Sequence, residues 1–571
     1  MIEEPSAPSL AVSAAPVPVP APAPAPPWWK SGPIYHIYPR SFRDANGDGV
    51  GDLRGIVEKL DYLNDGTDDS LRVKGLWLSP IYVSPGRDVG YDVADHCAVD
   101  PAFGTSEDLD LLVAEARRRD IRVILDLVLN HTSDLHPWFL ESRADRAADR
   151  RDWYVWRDPA RGGRPPNNWR SFFGGPAWTF DEETGQYYLH TFLPEQPDLN
   201  WQHPEVRAAC LDVVRFWLER GISGFRLDVF NAYFKHPDLP DNPRRLGRSP
   251  WQRQRHLYNK DRPELHGFLL ELRALLEEYP ETMAVGETFD GQPELAASYC
   301  DKLHMAFNFD FLLQPWSPAA IQRAITRWDD LLTREDTWPC YVLSNHDNPR
   351  HAWRHGRGVN ATEGDARARV AAALLLTLRG TPFVYYGEEI GMQDVVVGRE
   401  EAWDVGAPDG GTRDTARTPM QWDDSQHAGF STTRPWLPVG LDFRERNVAN
   451  QERDSRSILS FYRQLTALRH VTPALQTGTW QPLVREPRRA LVYLRREGEQ
   501  LALVALNFTN ERVRVALDAP LPTRFWTPRL STRRPDVGWA VHLRDGLDLG
   551  PYEATVFTAD LAAPANRGAI A

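Results

Sequence analysis

The sequence predicts an α/β fold, a (β/α)8 TIM barrel with an inserted subdomain after strand 3 and a C-terminal antiparallel β domain. Three observations carry this. From residue 34, short apolar runs alternate with amphipathic stretches of helical period, and eight such runs can be placed. Between residues 132 and 198 the alternation breaks in a stretch rich in Trp, Pro, Gly and Asp that leaves no room for one simple crossover helix. After about residue 474 helical periodicity gives way to short alternating runs: ALVYLRR (490–496), LALVALNFT (501–509) and VRVAL (513–517).

The expected strands are 34–39, 74–79, 122–128, 224–229, 284–288, 305–310, 339–345 and 382–387. Amphipathic segments at 106–119, 204–220, 265–279, 319–333 and 365–379 supply helices between them. Pro204 and Glu205 suit a first helical turn, and Gly221 suits the cap beyond the last. The barrel thus spans 28–131 and 199–473, the insertion 132–198 and the β domain 474–571. Residues 1–27 form a Pro/Ala-rich tail, ending in APVPVPAPAPAPP, that favours extended polyproline conformation over a packed core. Glu3 and Glu4 stand where a secretory leader needs positive charge, and repeated Pro breaks any apolar helix there. Elsewhere no apolar run reaches the ~18 residues of a membrane span, so a cytoplasmic protein is expected.

A chain of 571 residues is ample for a large core. With 66 basic against 79 acidic residues and no basic run, nucleic acid and anionic membrane are excluded as expected partners. Cys97, Cys210, Cys300 and Cys340 are widely spaced and far from metal-binding patterns, so free thiols are expected. A small-molecule substrate and a monomer or homodimer are the expected state.

Chemistry gathers at the C-terminal ends of the expected strands, where a parallel β/α barrel builds its site. After the first strand, DANGDGVGD (44–52) alternates Asp44, Asn46 and Asp48, with Gly49 permitting a sharp turn and Asp52 following. Oxygen ligands at that spacing, the Val50 carbonyl included, suit a hard structural cation, Ca²⁺ or Mg²⁺. Gly55 occupies the position where a regulatory EF-hand needs Glu. In DVGYD (88–92), Asp88 and Tyr91 taken alone read as turn residues. DLVLNH (126–131) buries Asp126 in an apolar strand and places His131 at its end. In GFRLD (224–228), Arg226 and Asp228 share one strand face; an isolated pair of this kind is more often a structural ion pair. Glu287 of VGET (285–288) and His346 and Asp347 of SNHDN (344–348) end two further strands. Three carboxylates on one rim raise at least one pKa, which divides them into a protonated acid and an ionised nucleophile kept so by Arg226. Glycoside cleavage with retention requires such a pair, about 5–5.5 Å apart.

The ordered set YxIYPRSFxDxNGDGxGD, DxGYD, DLVLNH, GFRLD, VGET, SNHD and RTPMQW closely resembles the α-amylase superfamily, glycoside hydrolase family 13, from residue 33 to about 560. QPDLN (196–200) resembles its α-glucosidase and oligo-1,6-glucosidase branch. The resemblance implies Asp228 as nucleophile, Glu287 as acid/base and Asp347 as transition-state stabiliser. It implies His131, Arg226 and His346 around the sugar in subsite −1, Tyr91 stacked beneath it and Phe172 lining the pocket. Asp88 with Arg417 is implied to grip the 4-hydroxyl of a terminal glucose, and the 44–52 loop to hold the cation. The activity implied is a retaining, exo-acting α-glucosidase on short α-glucosides such as maltose, with transfer to other sugar hydroxyls.

The linkage stays open. Val229 after the nucleophile accompanies α-1,6 activity in relatives, whereas FNAYFKHPDLPDNP (230–243) is nearer to α-1,4 or transglucosylating members. An isomerase of the trehalose synthase type shares most motifs. A non-enzymatic transporter-associated member would lack the three carboxylates and carry a membrane span.

Overall fold

The computed structural model describes residues 26–289, 292–334, 337–404, 411–533, 538, 541–543 and 546–562. The expected tail therefore lies, up to residue 25, outside the described residues.

Eight parallel strands form the central sheet: β1 (Ile34–Ile37), β2 (Gly75–Leu78), β3 (Arg122–Leu127), β4 (Gly224–Leu227), β5 (Met283–Gly286), β6 (Met305–Ala306), β7 (Cys340–Val342) and β8 (Thr381–Tyr385). Their order is β6-β5-β4-β3-β2-β1-β8-β7, and a parallel bridge from Phe307 to Cys340 joins the ends into a barrel. Alternate strand residues point inward. Ile34, Trp77, Ile124, Met283, Val285, Cys340 and Phe383 fill the interior as one apolar cluster, against which Trp28 and Trp29 pack. Nearer the strand ends the same inward positions turn polar, at His36, Asp126 and Arg226.

The opposite strand face carries Leu76, Leu78, Val123, Leu125, Phe225 and Leu227, which pack under the helices. These include α1 (Ser106–Arg118), α2 (Pro204–Glu219), α3 (Leu265–Glu277), α4 (Pro318–Leu331) and α5 (Ala361–Thr377). Helix α2 buries Val206, Cys210, Val213, Val214, Trp217 and Leu218 on one side, each large apolar side chain contributing about 1.5–3 kcal/mol. It ends where Gly221 takes φ +89°, a left-handed conformation that costs glycine little. Gly224 lets β4 approach β5: a Cβ there would stand 1.9 Å from the Met283 carbonyl oxygen.

The expected strands over 34–39 and 339–345 are shorter, Ile34–Ile37 and Cys340–Val342, and three further differences have an identifiable local cause. The strand expected over 305–310 shrinks to β6 because Asn308 caps a helical turn at Phe309–Leu312, its side chain accepting from the Phe311 amide at 3.1 Å. The strand expected to reach 229 ends at Leu227, and Val229 turns left-handed at φ 36°. Helix α5 begins at Ala361 rather than 365 because the Asn360 side chain caps it, accepting from Glu363 N at 2.9 Å.

Between β3 and α2, strands Trp156–Arg157, Trp178–Asp181 and Gln186–Leu189 make a small antiparallel sheet with its own apolar cluster of Val155, Trp169, Trp178 and Leu189. At the C-terminal end, six strands from Thr479–Pro482 to Ala554–Asp560 form an antiparallel sheet over Val492, Leu503, Trp526 and Phe557, and a two-stranded sheet adjoins it. The cysteines are unbridged. Among the described residues no helix is long and apolar enough to cross a membrane.

Candidate active site

Strand register assembles the site. Asp126 on β3 lies directly beside Arg226 on β4, and Val285 on β5 lies on the other side of Arg226. The next inward positions are Asp228 and Glu287. The Arg226 guanidinium, 1% exposed, donates from Nη1 to Asp126 at 2.5 Å and to Asp228 at 2.7 Å, and from Nη2 to Glu287. One buried cation thus holds three carboxylates and offsets part of the cost of burying them. Asp347 is presented by a tight turn in which Asn345 Oδ1 accepts from the amides of Asp347 (3.1 Å) and Asn348 (2.9 Å).

Burial pushes Glu287 up to about 8 and Asp228 up to about 7, with Arg226 opposing and neighbouring carboxylates adding to both shifts. Asp347 goes the other way: burial would raise it, but His346, Arg413 and Arg417 together hold it well below the usual carboxylate range. Burial keeps His346 neutral, with a pKa down at about 4. Its Nε2 lies 3.0 Å from Asp347 Oδ2 and 2.7 Å from the Tyr91 hydroxyl, which donates to Asp126 Oδ2 at 2.9 Å. The Tyr91 ring stacks on His346, centroids 5.4 Å apart. His131 rests against the Tyr91 carbonyl (3.0 Å) and the Gln196 amide (3.1 Å).

Asp228, Glu287, Asp347, His346, Tyr91 and His131 line a pocket of about 180 Å³ together with Asp88, Val229, Phe172, Phe173, Phe192, Phe289 and Arg413, whereas Arg226 lies behind its wall. The cation facing Asp88 corrects the expectation. Arg417 does not meet Asp88. It is 1% exposed and lies beneath the site, its Nε on the His346 carbonyl at 2.8 Å and Nη2 on Asp347 at 3.2 Å. Arg413, one helical turn earlier, takes the place instead, with Nη2 2.7 Å from Asp88 Oδ1 and Nη1 3.1 Å from Asp347. The 3-10 turn Arg413–Ala416 puts the first arginine in the mouth and the second under the floor. Gln196, which donates to Asp88 Oδ2 at 3.0 Å, was visible in QPDLN only as a branch signature. Phe173 neighbours the expected Phe172, and Phe289 follows Glu287 by two residues; Phe192 carried no local signal.

The two raised carboxylates predict a pH profile. Asp228 must be ionised to attack, so kcat/KM falls as pH drops through about 7; Glu287 must be protonated to donate, so it falls as pH rises through about 8. The expected result is a narrow bell whose two limbs belong to the coupled pair. A plateau from pH 5 to pH 9 would contradict it.

The expected cation ligands Asp44, Asn46, Asp48, Val50 and Asp52 share a compact loop between β1 and the helix Leu53–Glu58. Its carboxylates accept from the loop's amides: Asp44 from Gly47 (2.6 Å) and Gly49 (2.8 Å), Asp48 from Val50 (2.8 Å), Asp52 from Ala45 (2.9 Å). Among the described residues no three Asp, Glu, His or Cys side chains converge as a metal cluster. The donor set is nonetheless all oxygen, and the arginines beside the loop, Arg43 and Arg434, pair elsewhere, with Glu58 and Glu401. Such a set fits a hard cation.

Known proteins resemble this chain over most of its length. A probable alpha-glucosidase of Rhizobium meliloti (strain 1021) is 44% identical over 507 residues, covering 85% of this chain and 90% of that one. An oligo-1,6-glucosidase of Parageobacillus thermoglucosidasius is 38% identical over 569 residues, 93% of this chain and 98% of the relative. Among solved structures, the alpha-glucosyl transfer enzyme XgtA superposes with a TM-score of 0.85 at 39% identity, covering 94% of this chain and all of that one. The trehalulose synthase MutB of Pseudomonas mesoacidophila MX-45 gives 0.83 at 35%, with 94% of this chain covered. Residues 36–478 match the alpha-amylase catalytic domain, and on that match and these relatives the chain belongs to glycoside hydrolase family 13, on its branch of α-glucosidases, oligo-1,6-glucosidases and sucrose isomerases.

Proposed function

We propose that this protein is a retaining, exo-acting α-glucosidase that releases α-glucose from the non-reducing end of short α-glucosides such as maltose, and that passes glucose to sugar hydroxyls as well as to water. The observation that carries the proposal is the small pocket closed by the Asp88–Arg413 pair opposite Asp228 and Glu287. Its 180 Å³ is below the ~300–1,000 Å³ of pockets that enclose drug-sized ligands. A chain running through it would have to break a half-buried ion pair, so a chain end is the substrate that fits.

Asp228 attacks the anomeric carbon while Glu287 gives its proton to the departing glycosidic oxygen. Asp347 and the neighbouring histidines stabilise the positive charge that builds on the ring. Burial does most to raise Glu287, and once Asp228 is an ester the further push from its negative charge is gone. Glu287 is then a better-stabilised carboxylate beside Arg226, and takes a proton from water or a sugar hydroxyl. That nucleophile opens the ester from the face the leaving group vacated, so the α configuration is kept.

A second reading, cleavage of α-1,6 bonds, is favoured by Val229, which lines the pocket after the nucleophile. Initial rates on maltose, isomaltose and sucrose, offered separately, decide between them. Faster glucose release from maltose than from isomaltose is expected, and the reverse order assigns the enzyme to α-1,6 linkages. Conversion of sucrose to an isomeric disaccharide without net hydrolysis would move it to the isomerases.

The proposal includes a structural Ca²⁺ or Mg²⁺ held by Asp44, Asn46, Asp48, the Val50 carbonyl and Asp52. The loop is stitched to a later segment, Ser431 Oγ to Asp44 at 2.6 Å and Trp436 N to the Gly49 carbonyl at 2.9 Å, so a cation would fasten both. Chelation is expected to lower Tm by about 2 °C, as loss of a ligand present at ~100 Kd removes about 2.7 kcal/mol from a chain of this length, and added Ca²⁺ to restore it. An unchanged Tm would rule the ion out.

A further inference from the structure

Arg413 reaches two carboxylates of the pocket, Asp88 and Asp347, and a third outside it that holds the arginine at both its main chain and its guanidinium. Asp404 has a fully buried side chain, and its Oδ1 accepts from both Arg413 Nε at 3.0 Å and Nη2 at 2.6 Å. Its Oδ2 accepts from the Arg413 backbone amide at 2.7 Å. The same residue is thus held at its main chain and at the far end of its side chain, which removes the rotational freedom an arginine otherwise keeps. Asp404 is itself fixed, its amide donating to Asp414 Oδ2 at 2.9 Å. Arg417 Nη1 lies 3.9 Å from Asp404 Oδ1, so the two arginines stand on either side of this carboxylate. The Arg413 guanidinium also lies over the Phe173 ring, 5.5 Å from its centroid.

We propose that Asp404 is the positioning residue that fixes Arg413 across the pocket mouth, and that it thereby sets the requirement for a free 4-hydroxyl on the terminal glucose. This rests on the α-glucosidase reading above. Asp404 does not touch the pocket, so its effect on substrate passes through Arg413. Replacing it with Asn turns an acceptor oxygen into an N–H₂ donor that faces the arginine's own donors. Either the guanidinium or the backbone amide of Arg413 then loses its acceptor on this residue, and the arginine's hydrogen bond to a substrate hydroxyl loses its fixed geometry. If Asp404 merely braced the local chain, the damage would be indifferent to which hydroxyls the substrate carries.

The test compares wild type, Asp404→Asn, Arg413→Ala and the double variant on 4-nitrophenyl α-glucoside and its 4-deoxy counterpart, with Tm recorded for each. Asp404→Asn is expected to lower kcat/KM on the parent substrate by about 10- to 100-fold, chiefly through KM, the scale of losing one charge-assisted hydrogen bond. On the 4-deoxy substrate the same variant should lose less than about 3-fold, and in the Arg413→Ala background it should add less than about 3-fold. Equal losses on both substrates, additive losses in the double variant, or no loss on the parent substrate would each overturn the proposal. Should Asp404→Asn fail to fold, Asp404→Glu keeps the charge, displaces it by one methylene and offers the same contrast. A wild-type enzyme that cleaves no α-glucoside would overturn the parent reading and this one with it. That failure shows in the wild type, whereas failure of the positioning role shows only in the variants.

Discussion

Asp228→Asn is expected to abolish turnover while leaving the protein folded, with kcat on maltose down by about 10⁵-fold, the range seen when a covalent nucleophile is removed. The fold should survive because Arg226, which binds Asp228, keeps Asp126 and Glu287 as partners. The asparagine oxygen can still accept from Arg226 Nη1, so no buried charge is stranded. What is lost is the ability to form the ester. The diagnostic form of the experiment uses Asp228→Ala with added azide, which enters the space of the missing carboxylate and attacks from that face. The product is then β-glucosyl azide, of inverted configuration. Activity retained at a tenth of wild type or more would show that Asp228 is a structural partner of Arg226 and no more.

Glu287→Gln should behave differently on different leaving groups. On maltose, whose departing hydroxyl needs a proton, a loss of about 10³- to 10⁴-fold is expected, since general acid–base catalysis contributes ~10²–10⁴ and here serves both steps. On 4-nitrophenyl α-glucoside the phenolate departs without help, so the first step proceeds and the glucosyl-enzyme accumulates as a burst. Azide needs no base, and should relieve the second step and give α-glucosyl azide. Opposite anomers from the Asp228 and Glu287 variants would separate nucleophile from acid/base without recourse to either pKa. Equal losses on maltose and the aryl glucoside, with no response to azide, would contradict the role given to Glu287.

What could be read from the sequence follows from how local each signal is. Arg226, Asp228, Glu287, His346 and Asp347 sit on or just beyond short buried strands, and strand period with barrel topology suffices to bring them to one rim. Strand β6 is shorter than its sequence pattern because the alternation of MAFNFD continues through Asn308, whose capping preference competes with the strand and prevails. The partner of Asp88 is equally hard to place from sequence. TRDTARTPMQW offers two arginines one turn apart, and only the direction of a 3-10 turn decides which enters the pocket. Asp404 and Phe192 reach the site region over long sequence separations and from irregular chain, where no period predicts direction. Val229 marks a further limit: a β-branched residue at φ 36° is strained, and nothing in GFRLDV announces that the strand ends in a left-handed turn.

The central claim is that Asp228 and Glu287 cleave an α-glucoside by two displacements. A proton NMR time course on purified enzyme with maltose tests it most directly, read before the released sugar equilibrates its anomers. The account predicts that α-glucose appears first and the β-anomer only as mutarotation proceeds. β-Glucose appearing first would mean a single displacement by water, and would contradict the roles of both carboxylates.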